Sequence, residues 1–187
     1  MPRLRIASYA DIPAMQALIA RSAIDLSVSF YTPEQAQALL QYVFGVDTQL
    51  IADQTYFAIE DEVVNIDQHD IKPRLLACGG WSKRNTLFGG DQAKQGVDNL
   101  LDPAIDPARI RAFFVDPSAA RRGLGSMLMR HCTEQARAAG FTALELASTM
   151  PGEPLYRASG FEVTERFGLD LPGAIHAPLA RMYKKIT

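Results

Sequence analysis

The stretch RIRAFFVDPSAARRGLGSMLM, residues 109 to 129, constrains this chain more than any other. An almost continuous apolar run ends at Asp116-Pro117, glycines follow at 123 and 125, and a helical stripe begins at Leu124. Leu124, Met127, Leu128, His131 and Cys132 share one helical face, and Gly140 supplies the stop. His131 reads as a histidine at the edge of the core. A strand that turns through glycines into a helix exposes several backbone N–H groups at the positive end of the helix dipole, which is a ready anion site. Phosphate is the natural occupant.

That site has to be local, because the chain carries no global field: 19 Lys and Arg against 21 Asp and Glu leave a formal charge of −2. Neither nucleic acid nor an anionic membrane is recommended as a partner by such a balance. No apolar run approaches the roughly 18 residues of a membrane span, and the first 19 residues lack a signal-peptide pattern, so the chain reads as cytoplasmic. At 187 residues and 48% hydrophobic, it can bury one sizeable core and is short for two ordinary domains. Residues 1–187 are therefore read as a single domain. Cys78 and Cys132 belong to no CxxC pair and are read as small core residues, with no metal site expected.

Alternation predicts a strand at 4 to 8, and a helix follows with Asp11 as N-cap, Pro13 in its first turn and Met15, Leu18 and Ile19 on one face. TPEQAQALLQYVFG restarts a helix capped by Thr32, with SVSFYT as the connecting loop. TYFAIE and RLLACGGW read as antiparallel strands, separated by the polar segment 61–73, which is too long for a tight turn. Gly79 and Gly80 predict a bulge or a close backbone approach. Residues 84–107 hold three glycines, two prolines and no sustained period, and a connection of that length is uncommon unless it binds something or moves. Asp91, Asp98, Asp102 and Asp106 outnumber Arg84 and Lys94 there. If exposed, that excess attracts a small cationic or zwitterionic substrate; otherwise it is a solvated loop. Further strands are predicted at FTALELAS, FEVTERFGL and APLARMYKK, with a short helix at GEPLYRASG.

Three phosphate motifs compete for the glycine turn. The Walker pattern fails, since no Gly-Lys-Ser or Gly-Lys-Thr occurs. The dinucleotide pattern GxGxxG fits Gly123 and Gly125, but its third glycine would fall on Leu128, and the preceding strands do not form a βαβ unit. Glu145, 20 residues past Gly125, keeps that reading open. The third pattern is Q/R-x-x-G-x-G/A, and ARRGLG resembles it with Ala120 in the place of Gln or Arg. This is the acetyl-coenzyme A loop of the GNAT N-acetyltransferase superfamily. The likeness continues through FFVDP, similar to the family's fourth strand, LELAS, similar to its fifth, and PLYRASGFE, similar to its Y-x-x-x-G-F segment.

The resemblance implies an α/β fold with a mixed sheet of about seven mostly antiparallel strands. A central parallel pair splays at a cofactor notch, and about four helices flank the sheet. It implies acetyl transfer from acetyl-coenzyme A to a primary amine of a small molecule, with no metal, and leaves a homodimer open. A catalytically silent acyl-coenzyme A binding module of the same fold is the alternative. The coenzyme would lie on Phe114, Val115, Arg121, Arg122, Gly123, Leu124, Gly125, Ser126, Ser148 and Tyr156, with Ala120 still supplying a main-chain donor. The resemblance makes Tyr156 the general acid for the leaving thiolate and the Val115 N–H the oxyanion donor; it assigns no general base. Ser29 and Tyr31 in the loop after the first helix, Trp81 and Ser82 at the end of the third strand, and the 84–107 loop would wall the acceptor site.

Overall fold

The computed structural model describes residues 2–65 and 70–186. Seven strands form one sheet: β1 (Arg3–Ile6), β2 (Tyr56–Asn65), β3 (Asp70–Ser82), β4 (Ala108–Val115), β5 (Ala143–Thr149), β6 (Glu162–Leu171) and β7 (Ile175–Lys185). Their order is β1-β2-β3-β4-β5-β7-β6, and every neighbouring pair is antiparallel except β4 with β5. Five α-helices accompany the sheet: α1 (Ile12–Asp25), α2 (Pro33–Tyr42), α3 (Thr48–Ala52), α4 (Leu124–Ala138) and α5 (Glu153–Ala158). This is the mixed α/β architecture that the sequence predicts. Among the described residues, no helix is long and apolar enough to cross a membrane.

Both faces of the central strands are covered, which is why they read as apolar runs. On β2, Phe57 and Ile59 pack with Leu128, Met129 and Cys132 of α4 on one face, while Tyr56 and Ala58 pack with Met15, Leu18 and Ile19 of α1 on the other. α2 lays Ala36 and Leu39 against Ala177 of β7 in a third cluster. Cys78 and Cys132 are both buried free thiols. His131 sits at the core edge, edge-on to Phe57 with ring centroids 4.4 Å apart.

Several local expectations change. Asp11 does stand at the N-cap position of α1, but with helical dihedrals and no side-chain bond to that helix; its carboxylate instead closes the preceding 3-10 turn at Tyr9–Asp11, where the Ser8 N–H donates to Asp11 Oδ2 at 2.7 Å. Thr32 does cap α2, accepting from the Gln35 N–H at 3.2 Å. The polar segment 61–73 is mostly strand, because β2 and β3 stay paired out to Asn65 and Asp70. α3, with its cap Asp47, has no counterpart in the sequence reading. Five residues are too few to show a helical period.

The expected bulge lies between β3 and β4. Cys78 opposes Phe114 while Gly80 opposes Arg111, so β4 carries one extra residue. Ala112 takes φ +54° there. A Cβ on Gly79 would lie 2.4 Å from the Phe113 ring, so only glycine leaves that ring its place.

Candidate active site

The bulge opens the sheet. β4 and β5 pair only through Ala108 with Leu144 and Arg109 with Glu145, whereas β5 stays with β7 to Thr149 and β4 stays with β3 to Val115. Beyond Arg109 the two parallel strands therefore diverge. The Asp116 N–H donates to Leu76 O at 2.8 Å, and alternation along a strand turns the neighbouring Val115 N–H the other way, into the gap.

A cavity of about 770 Å³ occupies this gap, with Ala112 to Val115 on one wall, Ala147 and Thr149 on another, and the foot of α4 and α5 below. The turn into α4 is tied down by Asp116, which accepts from Arg21 at 2.8 Å, Arg74 at 3.2 Å and the Ser118 N–H at 3.0 Å. Burial works to raise the Asp116 carboxyl, and the bonds from Ser118 and Arg21 outweigh it, so it lies below its ordinary value. Gly123 takes φ +79° at the N-cap, a conformation that glycine adopts without strain. The first backbone bond of the helix runs from the Met127 N–H to Gly123 O at 3.0 Å. From Arg121 to Ser126, six consecutive N–H groups have no backbone acceptor among the described residues. Ala120 is excluded from that set, because its N–H donates to Pro117 O at 3.2 Å.

Phe114, Val115, Arg121, Gly123, Leu124, Gly125, Ser126 and Tyr156 all line the cavity. Arg122 and Ser148 do not. Arg122 is exposed and outside the lining, and Ser148 falls between Ala147 and Thr149 on the opposite face of β5, fully buried, its hydroxyl donating to Thr149 O at 2.7 Å. Gly125 is also more than a floor for an anion: a Cβ there would lie 2.8 Å from Leu155 Cδ2, so its lack of a side chain lets α5 dock.

The expected acceptor wall is displaced. Ser29, Tyr31, Trp81 and Ser82 all lie outside the cavity, where Ser27, Phe30, Phe44, Phe88 and Gly89 stand instead. Antiparallel pairing sets Trp81 opposite Ile110 and Ser82 opposite Arg109, at the closed end of the notch. Trp81 is a core side chain beside Phe141, and the Ser82 hydroxyl accepts from the Arg84 N–H at 3.0 Å. Tyr31 is a brace: its hydroxyl donates to Pro178 O at 2.7 Å and accepts from the Met150 N–H at 3.1 Å.

Nor does the acidic excess of 84–107 face the cavity. Asp91 accepts from the Thr48 N–H at 3.0 Å, Asp98 from the Thr86 N–H at 2.7 Å, Asp102 from the Ala104 N–H at 2.9 Å and Asp106 from the Asp102 N–H at 2.9 Å. The loop is anchored by a pair that the sequence reading missed. Arg111 and Asp47, each 1% exposed, meet at 2.9 Å, and Arg111 also donates to Gly89 O at 2.6 Å and Thr86 O at 2.8 Å. Lys94 joins Asp47 from the other side. Glu145 is ion-paired with Arg109, and among the described lining residues only Arg121 and Tyr156 are ionisable.

Tyr156 is buried with its ring 6.2 Å from Phe113 and 6.0 Å from Phe161. Burial, with a smaller push from Cys132, raises its phenol above the ordinary value, so it stays protonated. Its hydroxyl has no hydrogen-bond partner among the described residues.

Known proteins share this arrangement. A GCN5-related N-acetyltransferase from Rhodopseudomonas palustris superposes with a TM-score of 0.67 at 16% identity, over 99% of this chain and 96% of that one. The PaiA N-acetyltransferase from Thermoplasma acidophilum, in complex with coenzyme A, gives 0.62 at 12% identity, over 99% of each chain. A putative acetyltransferase from Salmonella typhimurium with its cofactor acetyl-CoA gives 0.62 at 14%, over 100% and 94%. At such identities the likeness is one of fold. No curated protein sequence matches significantly. The sequence model of the acetyltransferase (GNAT) family matches residues 49–161, from α3 to the start of β6 and across the whole notch. With more than half of its length matched, this chain belongs to the acetyltransferase (GNAT) family.

Proposed function

We propose that this protein is an acetyl-coenzyme A dependent N-acetyltransferase for a primary amine of a small molecule. The observation that carries the reading is the run of six N–H groups without backbone acceptors, Arg121 to Ser126, at the foot of α4 beside the cavity. A diphosphate fits such a donor array, with the Arg121 side chain adding positive charge. The diverging edge of β4 fits an extended amide-bearing arm, which can pair with main-chain groups near Phe114 and Val115 as a partial extra strand. Bound acetyl-coenzyme A would supply the acetyl thioester.

The chain's own groups then have defined tasks. The Val115 N–H, directed into the gap, donates to the thioester oxygen as negative charge develops there. Tyr156, held protonated by its burial, offers its hydroxyl to the departing sulfur. The apolar walls exclude water, which strengthens both contacts. No lining carboxylate, histidine or lysine is available as a general base among the described residues, so the amine must reach the cavity with its lone pair free.

Calorimetric titration with acetyl-coenzyme A, followed by thiol release against a panel of amines, tests the reading. Micromolar binding and amine-dependent thiol release are expected. Binding without turnover of any amine would favour a silent acyl-coenzyme A module, and no binding would dismiss both.

A further inference from the structure

Besides β4, β5, α4 and α5, three distant segments wall the cavity: the end of α1 with its following loop, the residues just after α2, and the 83–107 loop. Their large side chains are apolar. Leu26, Phe30, Val43, Phe44 and Phe88 line this region together with Phe114 of β4, and Phe44 meets Phe114 edge-on at 5.6 Å. Phe30 is 49% exposed and carries the apolar lining out to the mouth of the cavity.

The charges around this region are as informative as the rings. Asp47 lies behind the wall but is taken by Arg111 and Lys94, and Asp91 and Asp98 are held by backbone N–H groups. Among the described residues the single lining ion is Arg121, at the foot of α4 where the coenzyme diphosphate would take up its charge, so the ring-lined part offers an ammonium no counter-ion. An ammonium group brought here would leave water for an apolar cavity with no counter-charge, a transfer that is strongly unfavourable. A basic aliphatic amine also arrives almost entirely protonated: with a pKa near 10.4, about one molecule in 2,500 is neutral at pH 7. Nothing on the walls removes that proton.

We infer that the acceptor is a weakly basic aromatic amine, uncharged at neutral pH, received by the ring-lined part of the cavity. The inference rests on the acetyltransferase reading above and narrows its substrate. An uncharged aromatic amine avoids the desolvation of an ammonium, presents its lone pair without a base, and packs its ring against Phe30, Phe44 and Phe88 in the offset or edge-on contacts that aromatic pairs favour. In the reaction its nitrogen forms the C–N bond to the acetyl carbon as the C–S bond breaks. Sulfur leaves with the bonding electron pair and receives the proton that nitrogen loses, giving an N-acetyl arylamine and free coenzyme A thiol.

The test uses the full chain, acetyl-coenzyme A and three amines: 4-methylaniline, 2-phenylethylamine and spermidine. At pH 7 the aniline should exceed spermidine in kcat/KM by about a hundredfold or more, in line with their neutral fractions. Phenylethylamine should fall between them and rise about tenfold per pH unit from 7 to 9, while the aniline stays flat. Spermidine equal to or above the aniline, or no turnover of the aniline while acetyl-coenzyme A binds in calorimetry, would overturn the inference and leave the coenzyme assignment intact. Absence of coenzyme binding would overturn both. A second arm uses Phe30→Asp, at a half-exposed loop position whose unfolding midpoint is checked first. It should raise the KM for the aniline about tenfold or more while shifting preference toward spermidine. An unchanged KM for the aniline in a folded variant would also overturn the inference.

Discussion

Replacing Tyr156 with Phe removes one hydroxyl and keeps the ring between Phe113 and Phe161. Its expected effect can be worked from two features. Burial holds the phenol above its usual value of about 10, whereas a thiol titrates near 8.5, so complete proton transfer to the sulfur is uphill by more than about 2 kcal/mol. Tyr156 is therefore expected to act as a hydrogen-bond donor to developing thiolate, short of the hundred- to ten-thousand-fold of full general acid catalysis. A hydrogen bond to a charged group contributes about 1.5–3 kcal/mol, or about ten- to 150-fold in rate, and the mismatch favours the lower end. The variant should lose about tenfold in kcat, with acetyl-coenzyme A affinity within about threefold of wild type. Since the hydroxyl has no partner among the described residues, its removal orphans nothing, and the unfolding midpoint should stay level or rise slightly. Turnover by thiol release and unfolding in urea, measured on one preparation, check both halves. An unchanged kcat with a lowered midpoint would refute the reasoning and make Tyr156 a structural residue.

Other perturbations follow from the same geometry. Arg111→Met leaves the fully buried Asp47 with Lys94 and the Gln49 N–H and strips donors from Thr86 and Gly89, so urea unfolding should show a loss of about 3 kcal/mol. Gly125→Glu drives a side chain into Leu155 as well as into the donor array; calorimetry should find coenzyme binding abolished, and the melting temperature should fall with it. Asp11 is held at about 2, chiefly by its hydrogen bonds from Arg5, against an ordinary 3.8. A depressed carboxyl stabilises the fold fully above about pH 4 and loses that contribution as pH falls toward 2, so Asp11→Asn should flatten the midpoint-against-pH curve in that window. Raising salt from about 10 to 300 mM should leave the acceptor KM unchanged, because no lining carboxylate steers the amine.

The proposed coenzyme end of the cavity is legible in the sequence because its donors are consecutive. Gly123 and Gly125, the apolar run before them and the helical stripe after them lie within the 24 residues 109–132, and local propensity alone builds strand, turn and helix in that order. The misjudged members fail for local reasons as well. Ser148 lies one residue from two lining positions, and a period of two puts it on the wrong face. Ala120 keeps its N–H inside the turn. The divergence of β4 from β5 was expected only through family likeness. Its physical cause, one extra residue at Ala112 facing a side-chain-free Gly79, depends on a pairing between strands that single-strand patterns do not encode.

That Ser29, Tyr31, Trp81 and Ser82 lie outside the cavity has a deeper reason, which also bears on what charge in a sequence means. Trp81 and Ser82 were placed by chain order, as though the end of β3 reached the mouth of the notch. Antiparallel pairing reverses that direction and sends them to the closed end. The four aspartates of 84–107 were counted as a field, but a carboxylate contributes to a field only in proportion to what is left unneutralised and exposed. Each of the four is turned to a backbone N–H of its own loop or of α3, and none lines the cavity. Composition thus registered an excess of two negatives where the cavity itself presents none. The wall that closes this side of the cavity combines Phe30, Phe44 and Phe88, spaced 14 and 44 residues apart, each of which looks like an ordinary core residue until α1, α2 and the loop pinned by Arg111 bring them together. The shape of that wall is written in long-range contacts, and the buried Arg111–Asp47 pair, 64 residues apart in the chain, holds one side of it in place.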